Sequence, residues 1–414
     1  MKMNLVSVVT ARPLWLAVFA VSLVSGCGGP VADFRTNAVA LLKRENEVKQ
    51  PFTPQRKQEI GEVLVALFGT PDNPHVPEVG VDWSGLMDAN RLKAAAGPVG
   101  SDETGRAHGL YREHCSHCHG ITGDGAGPTA AFLNPYPRDY RPGIYKYKST
   151  PKGQKPTHED LMRTLVNGVP GTSMPSFLVL PENELAALAD YVRYLSIRGE
   201  VELLLIDYAA NELEADQPLV SVSGDPGQQG EQAEVIRSFV AEVADKWKQA
   251  DSMATPVPAP DATRDLAASI AHGRELFYGA IANCVKCHGE TALGDGQRTD
   301  YDDWNKMLEP DKPEMVEKYI SLGALPPRNI HPRNLRMGVY RGGNRPVDLY
   351  WRIKNGIDGS PMPGALMKPE GAPPETKGLT EADLWSLVDY VRSLPYEPIN
   401  NRRLADPSFQ RERM

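Results

Sequence analysis

Apolar residues recur at intervals of three and four along two segments that are offset by 199 residues. The two stripes consist of Leu185, Leu188, Ala189, Val192 and Leu195, and of Leu384, Leu387, Val388, Val391 and Leu394. This spacing places each set on one face of an α-helix. Each segment also contains the tetrapeptide Asp-Tyr-Val-Arg. The pattern therefore predicts two related domains that each end in an amphipathic helix.

Further helices are predicted outside these stripes. Residues 55–68 and 230–248 are expected to form amphipathic helices, the second of them acidic, and residues 201–213 a helix that packs on the first domain. A shorter helix that contains Gly105, Leu110 and Tyr111 is expected to lead into the first repeated motif. Three prolines between residues 252 and 260 indicate a semi-rigid spacer. The pattern thus predicts two helical domains joined by a helical, Pro-rich linker.

Each domain carries the pentapeptide pattern C-x-x-C-H. The cysteines are Cys115 and Cys118 in the first copy and Cys284 and Cys287 in the second, followed by His119 and His288. Two thiols three positions apart on a helical turn can both add to the vinyl groups of one haem, and the adjacent histidine then faces the iron. A zinc half-site and a thioredoxin-like redox pair are the alternatives. No second Cys/His pair follows at zinc-finger spacing, so the motifs predict two covalently attached haem c groups.

The repeat continues beyond these motifs. Pro137-Arg138-Asp139-Tyr140 corresponds to Pro332-Arg333-Asn334-Leu335, and residues 167–175 correspond to residues 355–363. Each of the last two segments holds a Met-Pro pair, at Met174 and Met362. A thioether sulfur is a soft sixth ligand that raises the haem potential. Met174 and Met362 are therefore predicted as iron ligands, with Met367 and Met337 as rivals that lack a counterpart in the first copy.

Insertions account for the growing offset between the two copies. The offset is 169 at the axial histidines, 188 at the methionines and 199 at the last helices. The additional residues of the second copy lie in a charged stretch at residues 301–318 and a Pro-rich loop at residues 369–378. We expect these insertions to alter the surroundings of the second haem.

The fifth cysteine, Cys27, ends the stretch Leu23–Cys27 and follows an apolar run from Leu14 to Val24, with Lys2 and Arg12 before it. The run is too short to span a bilayer and fits a signal peptide. The small residues before Cys27 resemble the lipobox of bacterial lipoproteins. We therefore expect residues 1–26 to be removed, Cys27 to be lipidated and the protein to lie on the periplasmic side of a membrane. An ordinary signal peptide and an uncleaved anchor are the alternatives.

Charge limits the partners further. The 414-residue chain has a formal net charge of −8, and loss of Lys2 and Arg12 with the signal peptide makes it −10. This negative sign argues against nucleic acid as a partner. Redox proteins and a membrane, reached through the lipid, are the expected partners.

The repeated motifs, the Met-Pro turns and the Tyr-Val-Arg helices resemble the class I c-type cytochrome family, twice over. The resemblance covers residues 101–199 and 262–396 and implies an all-α fold in which the first and last helices of each domain cross. At that crossing it implies close approach at Gly105 or Gly109 and at Gly273. It also implies that Arg138 and Arg333 lie near haem propionates. Residues 27–100 have no assigned role, residues 200–261 form the linker and residues 397–414 form a polar tail.

Three functions are consistent with these residues. The first is a dihaem electron carrier between extracytoplasmic respiratory partners, with no catalytic residues. The second is a dihaem peroxidase-like enzyme, which needs an open iron position and a nearby acid or base. The third is a cytochrome subunit of an oxidase or dehydrogenase complex. The matched Met-Pro turns favour the carrier.

Overall fold

The computed structural model describes residues 32–214, 217–219 and 230–398, and helices dominate this part of the chain. Its paired strands are the short antiparallel β1 Gly100–Ser101 and β2 Ala107–His108. The all-α prediction is confirmed. The predicted signal peptide, Cys27 and residues 399–414 lie outside the described part. None of the helices described has both the length and the apolar character that a bilayer crossing needs.

Within the described residues, three helices precede the first domain. They are α1 Ala38–Val48, α2 Pro54–Phe68 and α3 Ala89–Ala95. The side chains of Thr53 and Asp88 cap α2 and α3 by accepting hydrogen bonds from backbone N–H groups of the first turn. The helix predicted at residues 55–68 is confirmed as α2. Helices α1 and α3 were not predicted, because α1 mixes polar and apolar positions and α3 is only seven residues long.

The first domain contains four helices in order along the chain. They are α4 Leu110–His114, α5 Ser116–His119, α6 His158–Asn167 and α7 Glu182–Asn211. Helix α7 runs without a break through the predicted boundary at residue 199 and includes the separate helix predicted from residue 201. Its buried residues Val201, Leu205 and Ile206 belong to the same core as Leu188 and Leu195. This continuity of the apolar face explains why the helix does not end where the domain pattern does.

Helix α8 Glu231–Lys248 packs against the C-terminal half of α7 and confirms the predicted acidic helix. The Trp247 indole N–H donates to Glu200 Oε1 at 2.8 Å. One hydrophobic core thus includes residues from α1, α2, α3, α7 and α8. The N-terminal segment and the linker helix are parts of the body that holds the first motif.

The second domain has its own core. Its helices are α9 Leu266–Tyr278, α10 Val285–His288, α11 Asp303–Lys306, α12 Pro313–Ser321, α13 Pro346–Asn355 and α14 Glu381–Ser393. Helix α9 crosses α14 at Gly273, where a Cβ atom would overlap the Ser386 carbonyl and lie 2.8 Å from Tyr390 Cβ. The Tyr390 ring packs on Phe277 with centroids 5.5 Å apart. Close approach at Gly273 is therefore confirmed.

The glycines proposed for the first domain's crossing do not lie there. Gly105 occupies the turn between β1 and β2, and a Cβ atom added to it would have no neighbour within 4 Å. Gly109 packs against the backbone of Pro98 and Val99. The prediction for Gly105 and Gly109 was wrong, because α4 starts only at Leu110. Tyr191 of α7 packs on α4, with its ring centroid 4.9 Å from that of Tyr111.

Helix α3 takes the crossing position in the first domain. Asp190 of α7 accepts from the backbone N–H of Asp88, the N-cap of α3, at 3.2 Å and pairs with Arg91. In the second domain Asp389 accepts from Ser269 of α9 at 2.8 Å and pairs with Arg264. The aspartate of each Asp-Tyr-Val-Arg sequence thus anchors the helix that crosses it, so α3 is the counterpart of α9.

The Pro-rich linker is packed between the domains. The backbone N–H of Thr255 donates to the Ser149 carbonyl of the first domain at 3.0 Å. Its hydroxyl donates to Asn355 of the second domain at 2.9 Å. The indoles of Trp351 and Trp385 donate to the carbonyls of Thr255 and Pro258. The linker therefore contributes to the contact between the two domains rather than separating them.

Candidate haem sites

The first motif lies on one helical turn, α5, with Cys115 at its N-cap. Gly120 ends the turn with a φ of 75°, a left-handed conformation that favours glycine. The following loop turns back, since the N–H groups of Gly125 and Gly127 donate to the carbonyls of His119 and Cys118. None of the four cysteines in the described chain forms a disulfide. Burial raises the pKa of Cys115 to about 12, so its free thiol is protonated.

His119 is held in the orientation that an iron ligand needs. Its Nδ1–H donates to the Arg138 carbonyl at 2.9 Å, and its ring stacks on Tyr140 with centroids 4.7 Å apart. Burial lowers the pKa of His119 to about 4, so the imidazole is neutral near pH 7. A neutral ring whose Nδ1 carries the proton has its lone pair on Nε2. Nε2 is therefore the nitrogen available to a metal.

The second motif repeats this arrangement on α10. His288 Nδ1 donates to the Arg333 carbonyl at 3.2 Å, and burial lowers the pKa of His288. Gly289 ends the turn with a φ of 81°, and burial raises the pKa of Cys284 to about 11. The two carbonyl acceptors belong to the arginines that correspond in the repeat. The backbone of the Pro-Arg segment, which the sequence did not implicate, thus orients each histidine.

Met174 and Met362 lie in turns with the same hydrogen bonds. The carbonyl of Met174 accepts from the N–H of Val169 at 3.1 Å. The N–H of Met174 donates to the Thr172 hydroxyl at 3.1 Å. The carbonyl of Met362 accepts from Ile357 N–H at 3.2 Å. The N–H of Met362 lies 3.4 Å from the Ser360 hydroxyl oxygen. The two methionines therefore occupy equivalent backbone positions.

The rival methionines have other surroundings. Met367 pairs with Leu379 in a β-bridge, and its side chain packs against the second core. Met337 is 60% exposed in the short 3-10 helix Leu335–Met337. Neither shares the turn that holds Met174 and Met362.

A cavity of about 1080 Å³ adjoins the first motif, and Cys115, Cys118, His119 and Met174 all line it. Two thiols, a neutral imidazole with a free Nε2 and a thioether on one cavity are the donor set of a covalently attached, six-coordinate haem. The residues present therefore fit the group. The cavity extends to the loop after the second motif, at Gly294 and Asp295.

Comparison with known proteins decides the family. The sequence model described as cytochrome c matches residues 106–196 and 270–395, which together make up just over half of the chain. The chain belongs to the cytochrome c family. Cytochrome c domains bind haem covalently and transfer electrons, so this cytochrome is a haem electron-transfer protein.

Two further comparisons complete this result. No curated protein matches the cytochrome. Among solved structures, a chain of the Kuenenia stuttgartiensis reducing HAO-like protein complex is similar at 25% identity. The match covers 71% of the cytochrome and 97% of that chain, with a TM-score of 0.43.

The insertion of the second domain reaches the first haem site. The Arg138 guanidinium carbon lies 3.5 Å from the ring centroid of Trp304, a residue of α11. Lys146 of the first domain pairs with Asp302 at 2.8 Å. The sequence singled out Arg138 but not Trp304, Lys146 or Asp302. The sequence signal that could have pointed to Trp304 is the presence of a tryptophan inside a charged insertion.

The two candidate haem sites of the cytochrome are connected in both directions. Trp304, which stacks on Arg138, also packs so closely on Gly359 that a Cβ atom there would overlap its ring. Gly359 belongs to the turn that holds Met362. The histidine side of the first site therefore touches the methionine side of the second.

The reciprocal contact is made by Arg333. Its guanidinium lies against Gly171, in the turn that holds Met174, and its Nε donates to the Val339 carbonyl at 2.9 Å. The histidine side of the second site thus touches the methionine side of the first. Both predicted arginines lie at the boundary between the two sites.

Proposed function

We propose that this cytochrome binds two covalent haems and carries single electrons between extracytoplasmic redox proteins. Cys115 and Cys118 would hold the first haem, with His119 and Met174 as the iron ligands. Cys284 and Cys287 would hold the second, with His288 and Met362 as the iron ligands. The observation that carries the proposal is the matched pair of methionine turns, one in each domain, together with a histidine in each domain whose Nδ1 is already engaged.

Histidine and methionine ligation gives haem iron a reversible one-electron couple at raised potential. The protein contributes fixed geometry, because each imidazole is locked by a carbonyl and each methionine by a hydrogen-bonded turn. A rigid ligand set needs little rearrangement when the charge on the iron changes. This favours electron transfer over substrate chemistry, which needs an exchangeable iron position.

The contacts between the two sites support electron transfer within the molecule. Arg138, Trp304 and Gly359 form one continuous packed connection, and Arg333 and Gly171 form a second. Ion pairs between the domains, such as Lys146 with Asp302 and Lys148 with Asp358 at 2.9 Å, hold the sites in one arrangement. We propose that one haem receives electrons and the other delivers them. Arg138 and Arg333 remain candidates for contacts to haem carboxylates.

The proposed location rests on sequence alone. Leu23-Val24-Ser25-Gly26-Cys27 supports removal of a signal peptide and a lipid anchor on Cys27. The cytochrome would then be held at the periplasmic side of a membrane, where its redox partners meet it.

Haem counting and ligand binding test this function together. A pyridine haemochrome assay with intact-mass measurement is expected to find two covalent haems per chain. Carbon monoxide should leave the spectrum of the reduced native protein unchanged, because both irons are six-coordinate. One haem per chain contradicts the dihaem assignment. A high-spin haem that binds carbon monoxide and turns over peroxide favours the peroxidase-like enzyme instead.

A further inference from the structure

The cavity beside the first motif carries an excess of positive charge in an acidic protein. Eight arginine and lysine side chains line it, against five aspartates and no glutamate among the described residues. The whole chain has a net charge of −8. The cavity therefore has a sign opposite to that of the molecule, which is the electrostatic condition for holding anions.

Part of this excess is concentrated at the boundary between the domains. Arg138 and Lys146 come from the first domain and Arg341 from the second, and all three line the cavity. Burial, together with the positive charges of Arg138 and Arg341, lowers the pKa of Lys146 to about 8. Asp302 is the carboxylate that pairs with Lys146, at 2.8 Å. One carboxylate among three cations leaves an excess of positive charge. Burial of charge that is not balanced raises the free energy of the folded protein.

The remaining aspartates on the cavity do not balance this positive charge. Asp139 pairs with Arg141 at 2.8 Å, and Asp160 pairs with Arg163. Asp124 and Asp295 lie in the loops that follow the two motifs, where their carboxylates adjoin Gly120 and Gly289. On the side of the second domain, burial and the positive charge of Arg341 lower the pKa of Arg333. The local imbalance thus persists after the pairs are counted.

Two buried donors at this boundary have no acceptor. Neither Trp304 Nε1 nor Arg341 Nε has a hydrogen-bond partner within the described part of the chain. Buried donors are nearly always satisfied in folded proteins, and an unsatisfied one costs about 1–3 kcal/mol. Both residues line the cavity. An anionic hydrogen-bond acceptor would therefore satisfy the unpaired N–H groups and also balance the surplus positive charge.

We propose that Trp304, Arg341 and Lys146 form an anion site across the domain boundary that binds the carboxylates of the haem attached to the first domain. This inference rests on the proposed function, because it needs a haem at Cys115 and Cys118. Those two cysteines, His119 and the site residues line one cavity, so a porphyrin attached there would share that cavity with the site residues. A free inorganic anion such as phosphate has related chemistry and is distinguished by experiment below.

The proposal explains the place of the insertion in the second copy. Trp304 and Asp302 lie within the additional residues 301–318, which have no counterpart in the first copy. They complete the haem site of the other domain rather than their own. In this account the first domain alone has an incomplete site, and its haem potential depends on the second domain.

Two variants that remove a donor or a charge test the site, and a third variant retains the charge. Trp304→Phe keeps an aromatic ring over Arg138 and removes the N–H, while Arg341→Gln removes a charge and Arg341→Lys retains it. Trp351→Phe is the matched control. Trp351 is also stacked by an arginine of the first domain, Arg163 at 5.0 Å, but its N–H donates to Thr255 at 3.1 Å and it does not line the cavity.

The readouts are the midpoint potential of each haem between pH 5 and pH 8 and the propionate bending band in resonance Raman spectra. The haem of the first domain is identified by Met174→Ala, which shifts its redox wave. Cations keep a carboxylate ionised, so the native potential of that haem should be independent of pH in this range. In Trp304→Phe and Arg341→Gln the carboxylate pKa rises, so the potential should be lower at pH 8 and should climb as pH falls. The propionate band should shift, and Arg341→Lys should restore the native behaviour.

Three results would overturn the proposal. The first is native pH dependence and a native propionate band in both variants. The second is a change confined to the second haem. The third is a shift of the native haem potential on addition of phosphate that is as large as the shift caused by the substitutions. That result would assign the site to a free anion. The haem count is measured first, so loss of the haem at Cys115 and Cys118 is recognised as failure of the proposed function instead.

Discussion

Replacement of Gly273 by alanine tests the helix crossing on which the second haem domain is built. The new Cβ atom would overlap the Ser386 carbonyl and lie 2.8 Å from Tyr390 Cβ. Both obstacles are backbone or lie next to it, so they cannot rotate away, and α9 and α14 must separate. Overpacking of this kind costs about 1–3 kcal/mol, and the upper end applies here. Alanine regains about 1 kcal/mol of helix propensity. The expected net loss is about 2 kcal/mol.

Hydrogen exchange followed by mass spectrometry measures this loss where it occurs. A decrease of about 2 kcal/mol should lower the protection of peptides from α9 and α14 roughly 30-fold and leave α7 unchanged. Gly61→Ala is the matched control, since Gly61 lies inside α2 and a Cβ atom there has no neighbour within 4 Å. It should stabilise the protein by about 0.5–1 kcal/mol. Unchanged or increased protection of α9 in Gly273→Ala would refute the argument.

Three further predictions test other parts of the account. Gly359→Ala should lower the potential of the second haem and increase protease sensitivity between the domains. The left-handed φ of 65° and the Trp304 ring both exclude a side chain at this position. Unchanged cleavage would contradict this prediction. Glu202→Gln should cost about 3–5 kcal/mol in chemical denaturation, since it leaves buried Arg198 without a carboxylate. Cys27→Ser should release the protein from membranes or block its processing in a fractionation assay, and unchanged membrane association would argue against the lipid.

The local features of both domains were predictable because they depend on short-range physics. The apolar stripes of α7 and α14 follow from helical periodicity, and the two haem motifs follow from the spacing of two thiols and a histidine. Repetition allowed Met174 and Met362 to be selected among 12 methionines. The structure adds the equivalent turns that the repeat implied.

The remaining features depend on contacts between distant parts of the chain. Helix α3 is too short to show a period, although a buried aspartate in each Asp-Tyr-Val-Arg sequence needed a partner, which α3 and α9 provide. The stacking of Trp304 on Arg138 joins residues 166 positions apart, and nothing near either residue announces it. The same holds for the linker, whose prolines indicated stiffness but not the hydrogen bonds of Thr255 to both domains.

Near-infrared absorption of the oxidised protein tests the central claim most directly, because the weak methionine-to-iron charge-transfer band reports the sixth ligand itself. The native protein should show the band with an intensity of two such haems. Met174→Ala and Met362→Ala should each remove half of it, lower the potential of one haem and open that iron to carbon monoxide. Met367→Ala, whose side chain packs in the second core, should leave the band intact. A native protein without the band, or one that loses half of it in Met367→Ala, would contradict the assignment.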